Sequence, residues 1–403
     1  MKIEIGRNVN GGGVYLTPKE FESHLHITGL TRSGKSIWLL HLILQLLRLG
    51  KPMLVIDPHW KLFWYILGYL VCHSISRPII LFDPSFEKRI VGFNPFQTPY
   101  TDEGRKVTKA ERLSQQLMHV FGLENTDQFG NIERLLRALF YVLLDLELSI
   151  SDLRYFLYWE FDAQRKPLIA RIGSQQIKAD LTELYSSKIE FEKKIGSTKN
   201  KLQRFTHPQM RRIMGLRENN MDLNALIEQK GIMFCNLQAS ETDLVGRENM
   251  RALGTLLISE LWESFRKRTK PQEFYLIVDE MTEFMTPDLI EMLPRSAGYG
   301  LHCILAHQDQ GQLSPALASA IKNAQTKICF STEDNPKKQR YFTLRKSDHT
   351  TADVIAPLMN LSHVSPEKVE SYVERVTKDF LTPQEVDRLL DRPQNEEDLN
   401  PDE

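Results

Sequence analysis

Apolar residues recur along this chain in two rhythms. In the first hundred residues, and again after residue 229, short continuous apolar runs alternate with stretches of helical period. The runs are 24–28 (HLHIT), 52–57 (PMLVID), 78–83 (PIILFD), 232–237 (IMFCNL), 274–279 (FYLIVD), 302–306 (HCILA) and 326–330 (TKICF). Continuous rather than alternating apolarity marks a strand buried on both faces. Strands of that kind separated by helices predict a mostly parallel sheet covered by helices. Two further short strands are predicted at 3–5 and 14–16, joined by the turn Asn10-Gly11-Gly12-Gly13. Between the two α/β stretches the helical period dominates, at 110–121, 132–146, 152–159 and 175–195. The predicted organisation is therefore an α/β domain in two parts, 1–107 and 229–345, interrupted by an all-helical insertion at 108–228. A C-terminal segment of short helices, 346–391, and an acidic, apolar-poor tail, 392–403, complete it; such a tail is expected to be disordered.

Composition narrows the classes. The 403 residues are 41% hydrophobic and 26% charged, ordinary for a soluble globular protein, and suffice for a large core or two packed units. The formal net charge of −1 gives no global pull toward nucleic acid or anionic lipid, so any surface of that kind must be local. Cys72, Cys235, Cys303 and Cys329 lie in apolar stretches without CxxC pairing, as expected of buried thiols in a reducing compartment. Met1-Lys2-Ile3-Glu4-Ile5 lacks the apolar core of a signal peptide, and the run 62–71 falls short of the ~20 residues that span a bilayer. A cytoplasmic protein is expected, without a transmembrane segment of its own and at most peripheral to a membrane complex.

The densest chemistry lies in Gly29-Leu30-Thr31-Arg32-Ser33-Gly34-Lys35-Ser36, which fits the phosphate-loop pattern G-x-x-x-x-G-K-[ST] between a predicted strand and a helix that starts with Ile37. Two glycines let the backbone wrap closely, so that successive N–H groups and the helix N-terminus converge on phosphate oxygens. Lys35 would neutralise the β- and γ-phosphates and Ser36 would ligate Mg²⁺. Residues 29–37 are thus the expected nucleotide-binding segment, for ATP with Mg²⁺.

Hydrolysis needs more than a phosphate loop. The run ending Ile277-Val278-Asp279-Glu280 carries two carboxylates to a strand end. Asp279 would hold the metal, and Glu280 would orient and deprotonate the attacking water. Gln308, at the end of the run from His302, could bond both that water and the γ-phosphate. Arg295 could reach a neighbouring subunit's nucleotide as a trans arginine. Asp57 either approaches the nucleotide or caps the next helix. His24 and His26 share a strand face, but lack a third nearby ligand for zinc.

The segments TGLTRSGKS (28–36), VIDPH (55–59), GFNPF (92–96), LIVDE (276–280), RSAGYGLHCILAHQ (295–308) and IKNAQTKICF (321–330) together resemble the HerA/FtsK superfamily of DNA-translocating ATPases. Within it the chain is most similar to the ATPase part of TraD/TraG-type conjugative coupling proteins. The resemblance covers most of the chain, including the helical insertion. It implies a RecA-like P-loop NTPase fold, ATP hydrolysis coupled to DNA translocation, and a homo-oligomeric, hexameric ring. It also implies Arg295 as the trans arginine and Gln308 as the polar sensor. DNA and the chain itself are the expected partners, with a nuclease, a relaxase or a membrane-anchored secretion component beside them. Arg32 stands where the family has glycine, and the transmembrane helices of membrane-anchored coupling proteins have no counterpart in these residues.

One local charge excess stands out. Lys188, Lys193, Lys194, Lys199, Lys201, Arg204, Arg211, Arg212 and Arg217 face only Glu190 and Glu192 within their stretch. Lys193, Lys194, Lys199, Lys201, Arg204, Arg211 and Arg212 are the candidate DNA contacts, with Phe191 and Phe205 as possible stacking residues; the plain alternative is a solvated helix face. Beside the DNA motor stands a second expectation, a nucleotide-gated regulatory or recruiting ATPase acting on a protein partner.

Overall fold

The computed structural model describes residues 2–86, 88–123, 130–239, 244–308, 313–359 and 364–391. The acidic tail from 392 lies outside these residues. The chain divides into two compact units, one of Met1–Asp83, Asp222–Thr242 and Leu253–Thr377, the other of Pro84–Met221, Asp243–Ala252 and Lys378–Glu403.

The first unit is built on one sheet of eleven strands: β1 (Ile3–Asn8), β2 (Gly13–Leu16), β3 (Leu25–Thr28), β4 (Met53–Asp57), β5 (Ile79–Phe82), β6 (Ile232–Asn236), β7 (Phe274–Val278), β8 (Leu301–His307), β9 (Thr326–Cys329), β10 (Tyr341–Arg345) and β11 (Thr351–Ile355). Their order is β2-β1-β11-β10-β9-β3-β8-β7-β4-β6-β5. From β9 to β5 every pairing is parallel. β4, β6, β7 and β8 are buried at every residue, which their unbroken apolarity requires of strands covered on both faces. The registers bring strand ends level: Thr28 lies opposite both His307 and Cys329, and Val278 opposite Leu305. The residues that follow β3, β7 and β8 therefore emerge at one carboxyl edge, where open α/β sheets bind ligands. The mixed α/β architecture with its largely parallel sheet is the one the sequence predicts.

β10 is a strand that the sequence pattern did not single out, and β11 corrects the expectation of short helices over 346–391. They extend the sheet antiparallel to β9 and β1, with Phe342 and Leu344 inward and Thr343 between them. That period-2 pattern was present in Tyr341–Arg345, but five half-exposed residues give a weak signal. The helix Lys35–Arg48 lies on this part of the sheet. Its Trp38 donates from Nε1 to the Ile5 carbonyl at 2.9 Å and its ring sits edge-on to Phe330 and Phe342.

The second unit is helical among its described residues. Glu103–Val120 packs against Gly130–Asp145, whose Leu136, Leu139, Phe140 and Leu143 are fully buried. Two predicted helices are divided in the structure. The run at 175–195 breaks into Gln175–Leu184 and Lys188–Leu202, because Ser187 caps the second by accepting from the Glu190 N–H. The run at 152–159 is a 3₁₀ turn, Ile150–Leu153, and one helical turn, Arg154–Leu157, ended by extended backbone at Tyr158. The guanidinium of Arg165, fully buried, donates to the carbonyls of Tyr155 and Tyr158 at 3.0 Å and stacks on Tyr185.

Among the described residues no helix is long and apolar enough to cross a membrane; the run at 62–71 lies in the helix Lys61–Cys72 with Leu62, Phe63, Ile66, Leu67 and Leu70 buried. Cys235 and Cys303 are buried as expected, whereas Cys72 is exposed.

Candidate nucleotide-binding site

The phosphate loop leaves β3 at Gly29 and enters the helix Lys35–Arg48 through Gly34. Glycine is needed at both ends for different reasons. A Cβ at Gly29 would lie 2.6 Å from Phe330 Cβ and 2.8 Å from Ser33 Oγ, so no side chain fits. Gly34 has φ +104°, open to glycine at little cost. Arg32 adopts φ +65°, the left-handed region that favours glycine, and its side chain is exposed. Backbone bonds fix the loop on two sides. Gly29 N–H donates to the His307 carbonyl at 3.2 Å, Leu30 N–H to Ser331 at 2.8 Å, and Arg340 N–H to the Ser33 carbonyl at 2.9 Å. The helix ladder starts with Trp38 N–H to Gly34 at 3.0 Å, so the N–H groups of Lys35, Ser36 and Ile37 precede the first intrahelical bond.

Lys35 Nζ lies 3.2 Å from Asp279 Oδ1 and 3.5 Å from Glu280 Oε2. Ser36 Oγ donates to Asp279 Oδ2 at 3.2 Å. Lys35, Asp279 and Glu280 are all buried, at 6%, 2% and 5% exposure. One ammonium facing two buried carboxylates leaves negative charge to balance, and Ser33 Oγ within the loop is buried without a hydrogen-bond partner. A divalent cation held by Ser36 and Asp279, with a polyphosphate drawing Lys35, fits this donor set.

Glu280 stands at the end of β7 with φ +53° and ψ +59°, a conformation uncommon for glutamate. Its Oε1 accepts from Thr282 Oγ1 at 2.9 Å and from the Gln308 N–H at 3.3 Å. The Gln308 side chain in turn takes a hydrogen bond from Thr31 Oγ1 at 2.8 Å. The structure thus brings together Thr31, Lys35, Ser36, Asp279, Glu280 and Gln308.

Asp57, which sequence left between two roles, caps the helix Lys61–Cys72: its carboxylate accepts the His59 and Phe63 N–H groups, each at 2.8 Å. Burial pushes its pKa up to about 6; the Phe63 N–H opposes that rise, and the nearby charge of Asp279 adds to it.

Arg295 stands apart from this cluster. Its side chain is 64% exposed and pairs with Glu291 at 2.8 Å. The segment bearing it is anchored by His24, a connection the sequence did not signal. His24 Nδ1 accepts the Cys303 N–H at 3.1 Å, so Nε2 carries the proton and donates to the Leu293 carbonyl at 3.0 Å. His26 meets His307 with their Nε2 atoms 2.7 Å apart. Among the described residues no cluster of three or more His, Cys, Asp or Glu suits a metal.

In the helical unit the candidate DNA-binding residues have partners of their own. Lys194 pairs with Glu183 and Glu190, Arg211 with Asp391, Arg212 with both oxygens of Asp387, and Arg204 with Glu248. Lys199 lies over Tyr158, and Lys201 with Arg204 over Phe121. Lys193 is exposed. Phe191 and Phe205 are buried in the unit's core, at 3% and 2% exposure, and present no stacking surface.

Residues 273–391 match a protein family described as the TraM recognition site of TraD and TraG. No curated protein matches the chain. Among solved structures, the plasmid coupling protein TrwB in complex with the non-hydrolysable ATP analogue ADPNP is similar with a TM-score of 0.63 at 14% identity, covering 88% of this chain and 89% of that one. TrwB in complex with ADP and Mg²⁺ gives 0.59 at 14%, covering 90% and 91%. VirB4 of Thermoanaerobacter pseudethanolicus gives 0.56 at 15%, covering 91% and 97%. At these identities the likeness establishes the fold. The similarity to TraD/TraG-type coupling proteins read in the motifs holds in the matched segment and in the architecture.

Proposed function

We propose that this protein is a Mg²⁺-dependent ATPase of the conjugative coupling kind, which acts in the cytoplasm as a HerA/FtsK-like ring, hexameric by resemblance, and spends ATP to translocate or transfer DNA. The observation that carries the reading is the convergence of Lys35, Ser36, Asp279 and Glu280 at one sheet edge. TrwB, whose fold this chain shares, is described with an ATP analogue and with ADP and Mg²⁺.

When bound, Mg²⁺-ATP supplies the phosphoanhydride and its electrophilic γ-phosphorus. The chain's residues divide the remaining work. Backbone N–H groups of the loop and the start of the helix Lys35–Arg48 would hold phosphate oxygens, with Lys35 giving up its carboxylate partners to offset the β/γ charge. Ser36 and Asp279 would hold the metal. Glu280, released from Lys35, would orient a water and take its proton at Oε2, while Thr282 and the Gln308 N–H keep Oε1 fixed. Gln308 would bond the γ-phosphate, and Arg295 of a neighbouring subunit would complete the site. A relaxase, a nuclease or a membrane-anchored secretion component would be the accessory partner.

A second reading, a nucleotide-gated ATPase that recruits a protein partner, is favoured by two observations. The basic run is largely paired internally, and the matched family is described by a protein-recognition role. The ATPase rate with and without DNA, on a sample of known oligomeric state, separates the two. The motor reading expects DNA-stimulated turnover by an oligomer. A rate indifferent to DNA but raised by a protein partner would replace it with the second.

A further inference from the structure

Gln308 is an amide, with one end that only accepts and one that only donates. Thr31 Oγ1 donates to its Oε1 at 2.8 Å. That bond takes one lone pair of Oε1 and turns the oxygen toward Thr31, which leaves Nε2, with its two N–H groups, for a ligand; among the described residues no hydrogen bond holds Nε2. The contact is set by rigid surroundings. Gly29, two residues before Thr31, donates its N–H to the carbonyl of His307, the residue before Gln308. β3 and β8 pair directly, with Thr28 opposite His307. Leu30 and Ser33 tie the rest of the loop to Ser331 and Arg340. The Gln308 N–H is meanwhile directed to Glu280 Oε1 at 3.3 Å. Loop, glutamine and carboxylate thus form one chain of hydrogen bonds.

We infer that Thr31 is a positioning residue that orients the Gln308 amide so that it donates to the γ-phosphate, the contact by which Gln308 would sense the third phosphate. This rests on the ATPase reading and deepens it. A Gln308 held this way keeps its oxygen turned to Thr31 and its N–H groups for a ligand. It separates triphosphate from diphosphate by a bond only the former can receive.

The test compares wild type with Thr31→Val, nearly isosteric but without the hydroxyl, and Thr31→Ser, which retains it. Affinities for ADP and for a fluorescent non-hydrolysable ATP analogue are measured together with kcat. Thr31→Val should keep its ADP affinity, lose roughly three- to tenfold of its preference for the triphosphate analogue, as one hydrogen bond is worth, and lose kcat more than KM changes. Thr31→Ser should restore both. Gln308→Glu can still accept from Thr31 but has no N–H to offer, so it should lose the triphosphate preference outright. Wild-type preference and kcat in Thr31→Val, equal weakening of ADP and analogue, or full preference in Gln308→Glu would each overturn the inference while the ATPase reading stands. A wild-type protein that binds neither nucleotide would overturn the ATPase reading itself.

Discussion

Two regions of this molecule carry concentrated charge, and they treat it in opposite ways. At the sheet edge Lys35 faces Asp279 and Glu280 with all three side chains at 7% exposure or less. Along the helix Lys188–Leu202 the pairs of Lys188 with Glu192 and of Lys194 with Glu190 lie at 43–62% exposure, one helical turn apart. Exposed pairs at that spacing are worth a few tenths of a kcal/mol and are screened by salt. Buried charges of the first kind cost several kcal/mol each to desolvate and persist only when well partnered. The difference teaches where a charged residue's purpose can be inferred from its setting. Burial at a strand end demands an explanation in chemistry; a charge run on a helix face does not.

Arg295 is where that rule can break. It is exposed and paired at helical spacing, like the basic run, yet resemblance gives it a role in catalysis. If it acts across a subunit interface, Arg295→Ala should bind ATP and hydrolyse it ~10³–10⁵-fold more slowly, the scale of a trans arginine. Mixing it with Glu280→Gln subunits should restore part of the rate, because some interfaces then join an intact Arg295 to an intact Glu280. Normal turnover by a monomeric Arg295→Ala protein would return the residue to the exposed-pair class.

Within the buried cluster the expected loss is next in size. Glu280→Gln should retain ATP binding and lose ~10²–10⁴-fold in kcat, the worth of a general base. A variant that fails to bind nucleotide would point to a structural part for Glu280, whose φ of +53° already marks it as held by its surroundings.

The contrast between the regions also explains how much could be read from sequence. Seven strands were legible from unbroken apolarity, which burial on both faces forces in Phe274–Val278 and Leu301–His307, and β1 and β2 from short apolar runs on either side of a glycine-rich turn. The phosphate loop was legible because wrapping a phosphate constrains glycine, lysine and serine at fixed spacing. β10 and β11 were missed because half-exposed five-residue strands leave few buried positions, two in β10 and one in β11. The partners of Arg211 and Arg212 could not be read either, since Asp391 and Asp387 lie about 180 residues away. Thr31 with Gln308 is the same case within the site: a contact across 277 residues created by the pairing of β3 with β8.

Burial at the sheet also sets a pH dependence that paired surface groups do not share. Desolvation lowers His24 to about 4 and His26 to about 3. An unfolded histidine takes up a proton near 6.5 that these cannot, so their contribution is complete above 6.5 and is lost as pH falls toward 4. Asp57 runs the other way. Raised to about 6, it holds a proton that the unfolded chain has already released, and it gains stability as pH falls through 6. Two histidines outweigh one aspartate, so stability at pH 5 should lie below that at pH 7, by on the order of 2 kcal/mol. Urea midpoints at the two pH values measure this, and His26→Gln should narrow the gap. Equal midpoints in wild type would mean that the sheet histidines are not held neutral.

The smallest expected effect tests the basic run directly. Each phosphate contact contributes about 0.9 to the log–log salt slope on duplex DNA. If Lys193, Lys194, Lys199 and Lys201 all track phosphates, replacing them together should lower that slope by about 3.6 and leave basal ATPase intact. Their surroundings argue for less. Lys194 is committed to Glu183 and Glu190, and Lys199 and Lys201 lie over the rings of Tyr158 and Phe121. Lys193 alone of the four is exposed with no ion pair or ring contact among the described residues, so a drop near 1 is expected. A drop of 3 or more would mean that DNA pulls the lysines from their partners, and the distinction between buried and surface charge would fail for this helix. No change in slope would make the run a solvated face, and any DNA contact would then have to be sought elsewhere on the protein.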